Sequence, residues 1–124
     1  MNTTVLHVGE KLKVEAVLNP DGKCPAQEFL DEQLESDRQK IKALFFMVAL
    51  KGNQFRNGEK FKKLDGEIFE FKSYQIRLLC FFHRGGRLII THGLIKQTDN
   101  MRRGEIEKAE RIRQQFLAEE VSHG

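Results

Sequence analysis

Apolar and polar positions alternate from Lys11 to Leu18, with Leu12, Val14, Ala16 and Leu18 on one side and Lys11, Lys13 and Glu15 on the other. A period of two places successive side chains on opposite faces, so this run predicts a strand. Asn19-Pro20-Asp21-Gly22 ends it as a turn, proline setting φ and glycine tolerating a positive one. Pro25 suits the first turn of a helix, where its missing N–H costs nothing, and Phe29, Leu30 and Leu34 give that segment an apolar side. A second helix, capped by Ser36 or Asp37, carries Ile41, Leu44, Phe45 and Val48 at i, i+3, i+4 and i+7 and stops at Gly52. The two segments read equally well as a helical hairpin or as one bent helix.

Asn53 to Lys63 reads as a polar loop broken only by Phe55 and Phe61. Three strand-like runs follow, Glu67 to Lys72, Gln75 to His83 and Arg87 to Leu94, separated by Ser73-Tyr74 and by Arg84-Gly85-Gly86. Short separators favour an antiparallel meander. Ile76 to Phe82 is apolar on both faces except at Arg77, as expected of a central strand covered on both sides. From Arg103 a helical period returns, with Ile106, Ala109, Ile112 and Phe116 as its apolar stripe and Thr98, Asp99 or Asn100 as its cap. The expected architecture is a single α+β domain over residues 1–124, a helical pair packed on a curved antiparallel sheet, with a C-terminal helix. Its core spans about residues 11 to 118, with terminal tails outside.

Composition narrows the function. The net charge of the 124 residues is only +3, but Lys51 to Arg113 carries 15 Lys/Arg against 8 Asp/Glu. Positive charge gathered in one stretch attracts phosphate backbones. No apolar run approaches the ~20 residues of a membrane span, and Met1 to Glu10 has no signal-peptide pattern, so a cytoplasmic, membrane-free protein is expected. Cys24 and Cys80 lack metal-ligand spacing, as do His7, His83, His92 and His123; neither a metal nor another cofactor is expected. Gly85-Gly86 precedes no helix and is a hairpin turn rather than a phosphate cradle. No helix-turn-helix pattern supports a DNA-binding regulator.

What remains is a set of cations at strand ends: Lys72, Arg77 and Lys96. A charge within an apolar strand either faces a cleft or meets a partner, here Glu70 or Glu67 on the neighbouring run. Metal-free RNA cleavage needs a base for the 2′-hydroxyl, an acid for the 5′-oxygen and cations for the developing phosphorane charge, the last of which these residues supply.

Asp65-Gly66, Ile68-Phe69-Glu70-Phe71-Lys72, Arg77, Ile89-Ile90-Thr91-His92-Gly93-Leu94-Ile95-Lys96 and Glu105-Ile106-Glu107-Lys108-Ala109, in that order, resemble the phage-derived, HigB-like branch of the RelE toxin superfamily. The resemblance runs from about Lys13 to Phe116, Pro25 with Phe29-Leu30 and Gly52 included. It implies a RelE-like fold and the toxin of a type II toxin–antitoxin system. Such a toxin is an mRNA endoribonuclease (mRNA interferase) that inhibits translation by metal-independent cleavage, on the ribosome or free of it. It implies a helix-turn-helix antitoxin partner, and the basic surface suggests that an acidic or extended segment of that partner covers it. Lys72 takes the place of the family's Glu-Leu-Arg arginine, Arg77 matches the next strand's arginine, and Lys96 matches the first of its paired lysines. All three are the candidate catalytic cations. Arg102, Arg103, Lys62, Lys63 and Arg84 are the candidate RNA contacts. Gln97 stands where the second lysine is found, Leu94 replaces an aromatic residue and Cys80 a tyrosine. The alternative is therefore an inactive relative that binds antitoxin or RNA without cutting. His92 matches the family's histidine, with a structural role favoured. Arg77 is expected to open onto a phosphate site, so that its truncation would spare the fold.

Overall fold

The computed structural model describes the backbone of residues 1–97 and 99–123 and the side chains of residues 1–97 and 103–120. Its elements are β1 (Thr3–Val8), β2 (Lys13–Val17), α1 (Pro25–Asp31), α2 (Glu35–Lys51), β3 (Phe61–Asp65), β4 (Ile68–Ser73), β5 (Ile76–His83), β6 (Arg87–Ile95) and α3 (Asp99–His123). The strands form one sheet in the order β1-β2-β6-β5-β4-β3. α1 and α2 pack on one face around Ile41, Phe45, Val48, Phe71, Leu78 and Ile90. α3 packs on the other, around Leu79, Phe81, Ile89, Ala109 and Phe116. No described helix is long and apolar enough to cross a membrane.

The α+β class and the β4–β5–β6 meander agree with the sequence reading, while four expectations are corrected. The sheet is mixed, because β2 runs parallel to β6, pairing Val14 with Leu88 and Ala16 with Ile90. The chain leaves β2 through two helices and three strands before returning beside it, and a long crossover allows a parallel pair where a hairpin does not. The helical pair is not N-terminal: two strands precede it. Thr3–Val8, expected as a tail, is a strand tied to the sheet through Glu15. That carboxylate accepts from Thr3 Oγ1 at 2.6 Å and from Arg87 Nε and Nη2 at 2.8 and 2.9 Å. Finally, Phe61–Asp65 is an edge strand rather than loop, with the fully buried Phe61 set among Phe55, Phe69, Phe71 and Phe82.

Local signals behave as their chemistry requires. Pro25 stands in the first turn of α1, and residues 32–34 separate α1 from α2, so the helices are two. The residue at the N-cap of α2 is Leu34 rather than Ser36 or Asp37, which fall inside its first turn. Gly52 ends α2 with φ of +86°, a backbone shape that glycine adopts without strain. The cap candidates of α3, Thr98, Asp99 and Asn100, lie outside the residues whose side chains are described. Gly93 lets α1 approach β6, since a Cβ there would meet the Phe29 ring at 2.4 Å. This contact anchors the helical pair to the central strands.

Candidate nucleic-acid interface

The β4–β5 hairpin sets the geometry. Lys72 pairs with Arg77 and Ser73 with Ile76, leaving Tyr74 and Gln75 as the turn. Tyr74 adopts φ of +54°, unusual for a residue with a side chain. Arg77 Nη1 donates to the carbonyls of Tyr74 and Ile76, the latter at 2.9 Å, so the guanidinium braces the turn from beneath. Its Nε lies 3.4 Å from Glu70 Oε1, and Glu70 in turn has Lys62 Nζ 3.9 Å from Oε2. Glu70 is thus a buried carboxylate between two cations, one from β3 and one from β5.

Arg77 also stands opposite Leu94 in the register with β6, so Lys72, Arg77 and Leu94 form a row across three strands. Leu94 packs with the cluster that includes Ala109 of α3, which places the row on the α3 side of the sheet. Lys96 follows two residues later, held where its backbone N–H donates to the Gln75 carbonyl at 2.7 Å. Lys72 and Lys96 are half-buried, Lys62 likewise. Arg77 itself is 6% exposed. The expected open phosphate clamp is therefore a buried, ion-paired arginine, as an isolated charge in an apolar strand must be if it does not reach water.

The structure gathers Lys62, Lys72, Arg77 and Lys96 at one end of the sheet but leaves the other candidates apart. Lys63 is exposed on the opposite face of β3 from Lys62, pairing with Phe69. Arg84 lies beyond the far end of β5, seven residues along the chain from Arg77, which is roughly 23 Å of extended strand. There it donates to Glu120 Oε1 at 3.0 Å, beside His83 at 2.7 Å from Oε2. These contacts, led by the Arg84 hydrogen bond and opposed by burial, lower the Glu120 pKa from 4.5. Arg103 is exposed, 4.0 Å from Glu107 one turn on. Arg102 lies outside the residues whose side chains are described.

His92 is buried beneath α3, its Nε2 2.6 Å from Glu105 Oε2 and its Nδ1 2.9 Å from Thr91 Oγ1. Burial lowers its pKa from 6.5 and Lys108 adds to that, more than the Glu105 hydrogen bond and charge restore. A neutral ring that donates from Nε2 to Glu105 leaves Nδ1 as an acceptor, so the single Thr91 hydroxyl proton serves either Nδ1 or the Leu79 carbonyl, 3.2 Å from Thr91 Oγ1. Cys80 donates weakly to the Phe69 carbonyl, and burial with the Glu70 charge raises its pKa well above 9.0, which keeps it a thiol. Among the described residues no group of three or more His, Cys, Asp or Glu is placed to hold a metal ion.

Chemically, the cluster can neutralise phosphate charge at its half-buried lysines while the pair beneath holds the hairpin in shape. Sequence reasoning named Lys62 as a candidate RNA contact without placing it beside Glu70, and it passed over Tyr74. Lys62 joins through Glu70 only once Phe61–Asp65 is recognised as a strand, and the buried Phe61 was the available signal. Tyr74, the chain's one tyrosine, was read only as a separator; its ring is exposed, with Lys40 Nζ 4.2 Å from the centroid.

Residues 28–114 match the family model for Phage derived protein Gp49-like (DUF891). No curated protein matches the chain.

Proposed function

The chain belongs to the phage-derived Gp49-like family, within the RelE/HigB-like toxin superfamily, and on that premise we propose that it is the toxin of a toxin–antitoxin pair. In this reading it is a HigB-like mRNA endoribonuclease with a RelE-like fold. It acts in the cytoplasm, on or off the ribosome, and is silenced by an antitoxin. The observation that carries the site is the gathering of Lys62, Lys72 and Lys96 around the buried Glu70–Arg77 pair at one end of the sheet.

Lys72 and Lys96 meet the scissile phosphate and offset the charge that builds on it as the 2′-oxygen attacks and the 5′-oxygen leaves. Arg77 is a positioning residue: it fixes the turn that carries Lys72, Tyr74 and Gln75. Lysine binds phosphate as a point charge and lacks the bidentate fork of arginine, so contact here depends on the lysines being held close together. Lys62 and Arg103 extend the positive field along the bound strand.

The burial of Arg77 favours one second reading. A family cation withdrawn from the surface suits a relative that keeps the fold and binds antitoxin or RNA without cutting. Induced expression in bacteria separates the two. Growth arrest by the native chain, relieved in the Lys72→Ala/Lys96→Ala variant, is the expected result. Full growth on induction of soluble native chain would overturn the cleavage reading.

A further inference from the structure

α2 carries two apolar faces. Ile41, Phe45, Val48 and Ala49 are buried against the sheet. On the opposite side Ala43, Phe46, Met47 and Leu50 follow the spacing i, i+3, i+4 and i+7, and all four are exposed, Phe46 by 54%. Single apolar residues on a surface are ordinary, but a stripe at helical spacing on a helix that already has a buried side is the mark of a second packing partner.

The rims of the stripe carry charge of one sign. Lys42 flanks it on one side and Lys40 and Lys51 on the other, and α2 has no acidic residue from Arg38 to Lys51. Among the described residues none of these three lysines takes part in an ion pair. On the Lys42 side the stripe meets β1, where the His7 ring lies 6.0 Å from Phe46, edge to face. A groove of about 490 Å³ opens there, lined by Val5, Leu6, His7, Arg38 and Phe45, with Asp31 at its margin hydrogen-bonded to Gln27.

We propose that the outer face of α2, with the adjoining groove along β1, docks an amphipathic helix whose apolar stripe is flanked by carboxylates. A second copy of this chain fits poorly. A symmetric contact centred on Phe46 and Met47 would set the same lysine rims against each other, the acidic residues of α2, Glu35 and Asp37, lying in its first turn away from the stripe. A partner strand on the edge of β1 fits poorly too, because the bulge between Val5 and His7 breaks its ladder. A helix in a groove, anchored by Phe46, Met47 and Leu50 and guided by lysines, uses every feature present. Resting on the function proposed above, the antitoxin supplies this helix, and it leaves the Lys72–Lys96 end of the sheet uncovered by that contact.

Two assays on the intact chain test the surface. The first uses a synthetic amphipathic helix with a leucine stripe and glutamate rims, and a twin with lysine rims, followed by fluorescence anisotropy. The glutamate peptide is expected to bind, to weaken roughly tenfold or more on Phe46→Ser/Met47→Ser, and to outcompete its lysine twin. The second asks whether the protein encoded beside this gene co-purifies. It should remain bound to Lys72→Ala/Lys96→Ala and be lost from Phe46→Ser/Met47→Ser. No peptide binding, equal binding of the twins, or neighbour binding indifferent to Phe46 and Met47 would overturn the proposal. So would native self-association abolished by the same two substitutions. If the peptide binds as expected but the neighbour does not bind the native chain, the antitoxin assignment fails and the docking surface stands.

Discussion

Arg77 Nε lies 3.4 Å from Glu70 Oε1, and both side chains are almost wholly removed from water, at 7% and 1% exposure. They sit diagonally across β4 and β5, since Glu70 is opposite Leu79 and Arg77 opposite Lys72. The pair thus couples the interior of the sheet to the hairpin that carries the half-buried Lys72.

Removing one partner strands the other. Arg77→Ala removes the cation beside the buried Glu70 carboxylate, and is expected to cost about 3–5 kcal/mol. Glu70→Ala is expected to cost a similar amount. Glu70→Leu/Arg77→Met, which removes both charges, should be more stable than either single variant. Urea denaturation of the three reads this directly. An Arg77→Ala protein within about 0.5 kcal/mol of the native chain would show that the pair contributes nothing.

His92 makes a pH prediction of definite sign. Its pKa in the folded chain lies below the 6.5 of a free imidazole, chiefly because it is buried. The unfolded chain therefore takes up the proton first. The stability His92 contributes is whole above about pH 6.5 and is lost as pH falls through its folded value. An NMR titration should find the ring neutral at about pH 7 and protonated only below pH 6.5, and His92→Gln should soften the loss of stability on acidification. A His92 midpoint above 6.5 would mean that Glu105 outweighs burial.

Arg84 provides the contrast. It is exposed, bound to Glu120, and lies at the other end of β5 from Lys72. Arg84→Ala is expected to leave stability essentially unchanged, as the loss of an exposed, solvent-screened ion pair does. It should also leave growth arrest intact. Relief of arrest as complete as that of Lys72→Ala would mean that the nucleic acid runs the length of the sheet.

Local periodicity made much of this fold legible. Ile41, Phe45 and Val48 marked the buried side of α2, Ala109 and Phe116 that of α3, and Ile76 to Phe82 a strand covered on both sides. Pairing between distant segments leaves no such trace. Nothing near Val14 announces that Leu88 will lie beside it in parallel, and Thr3–Val8 gains its place from contacts with β2 and α2, both outside its own pattern. The site divides in the same way. Arg77 was conspicuous because it interrupts an apolar run, yet the run itself does not say whether such an arginine reaches water or a carboxylate. Glu70, three residues beyond a turn and fully buried, decides that. The outer stripe of α2 was in plain view, at the same spacing as the inner one, and was masked by it.

The most direct test of the cleavage proposal is to map RNA 5′ ends in cells shortly after induction of the native chain and of Lys72→Ala/Lys96→Ala. The native chain is expected to create new ends within messenger RNA. The double variant, stably folded, should lose them by roughly 10²–10³ in rate, the effect typical of removing a charge-stabilising donor. Identical end profiles for the two proteins, or a native profile no different from uninduced cells, would contradict the account.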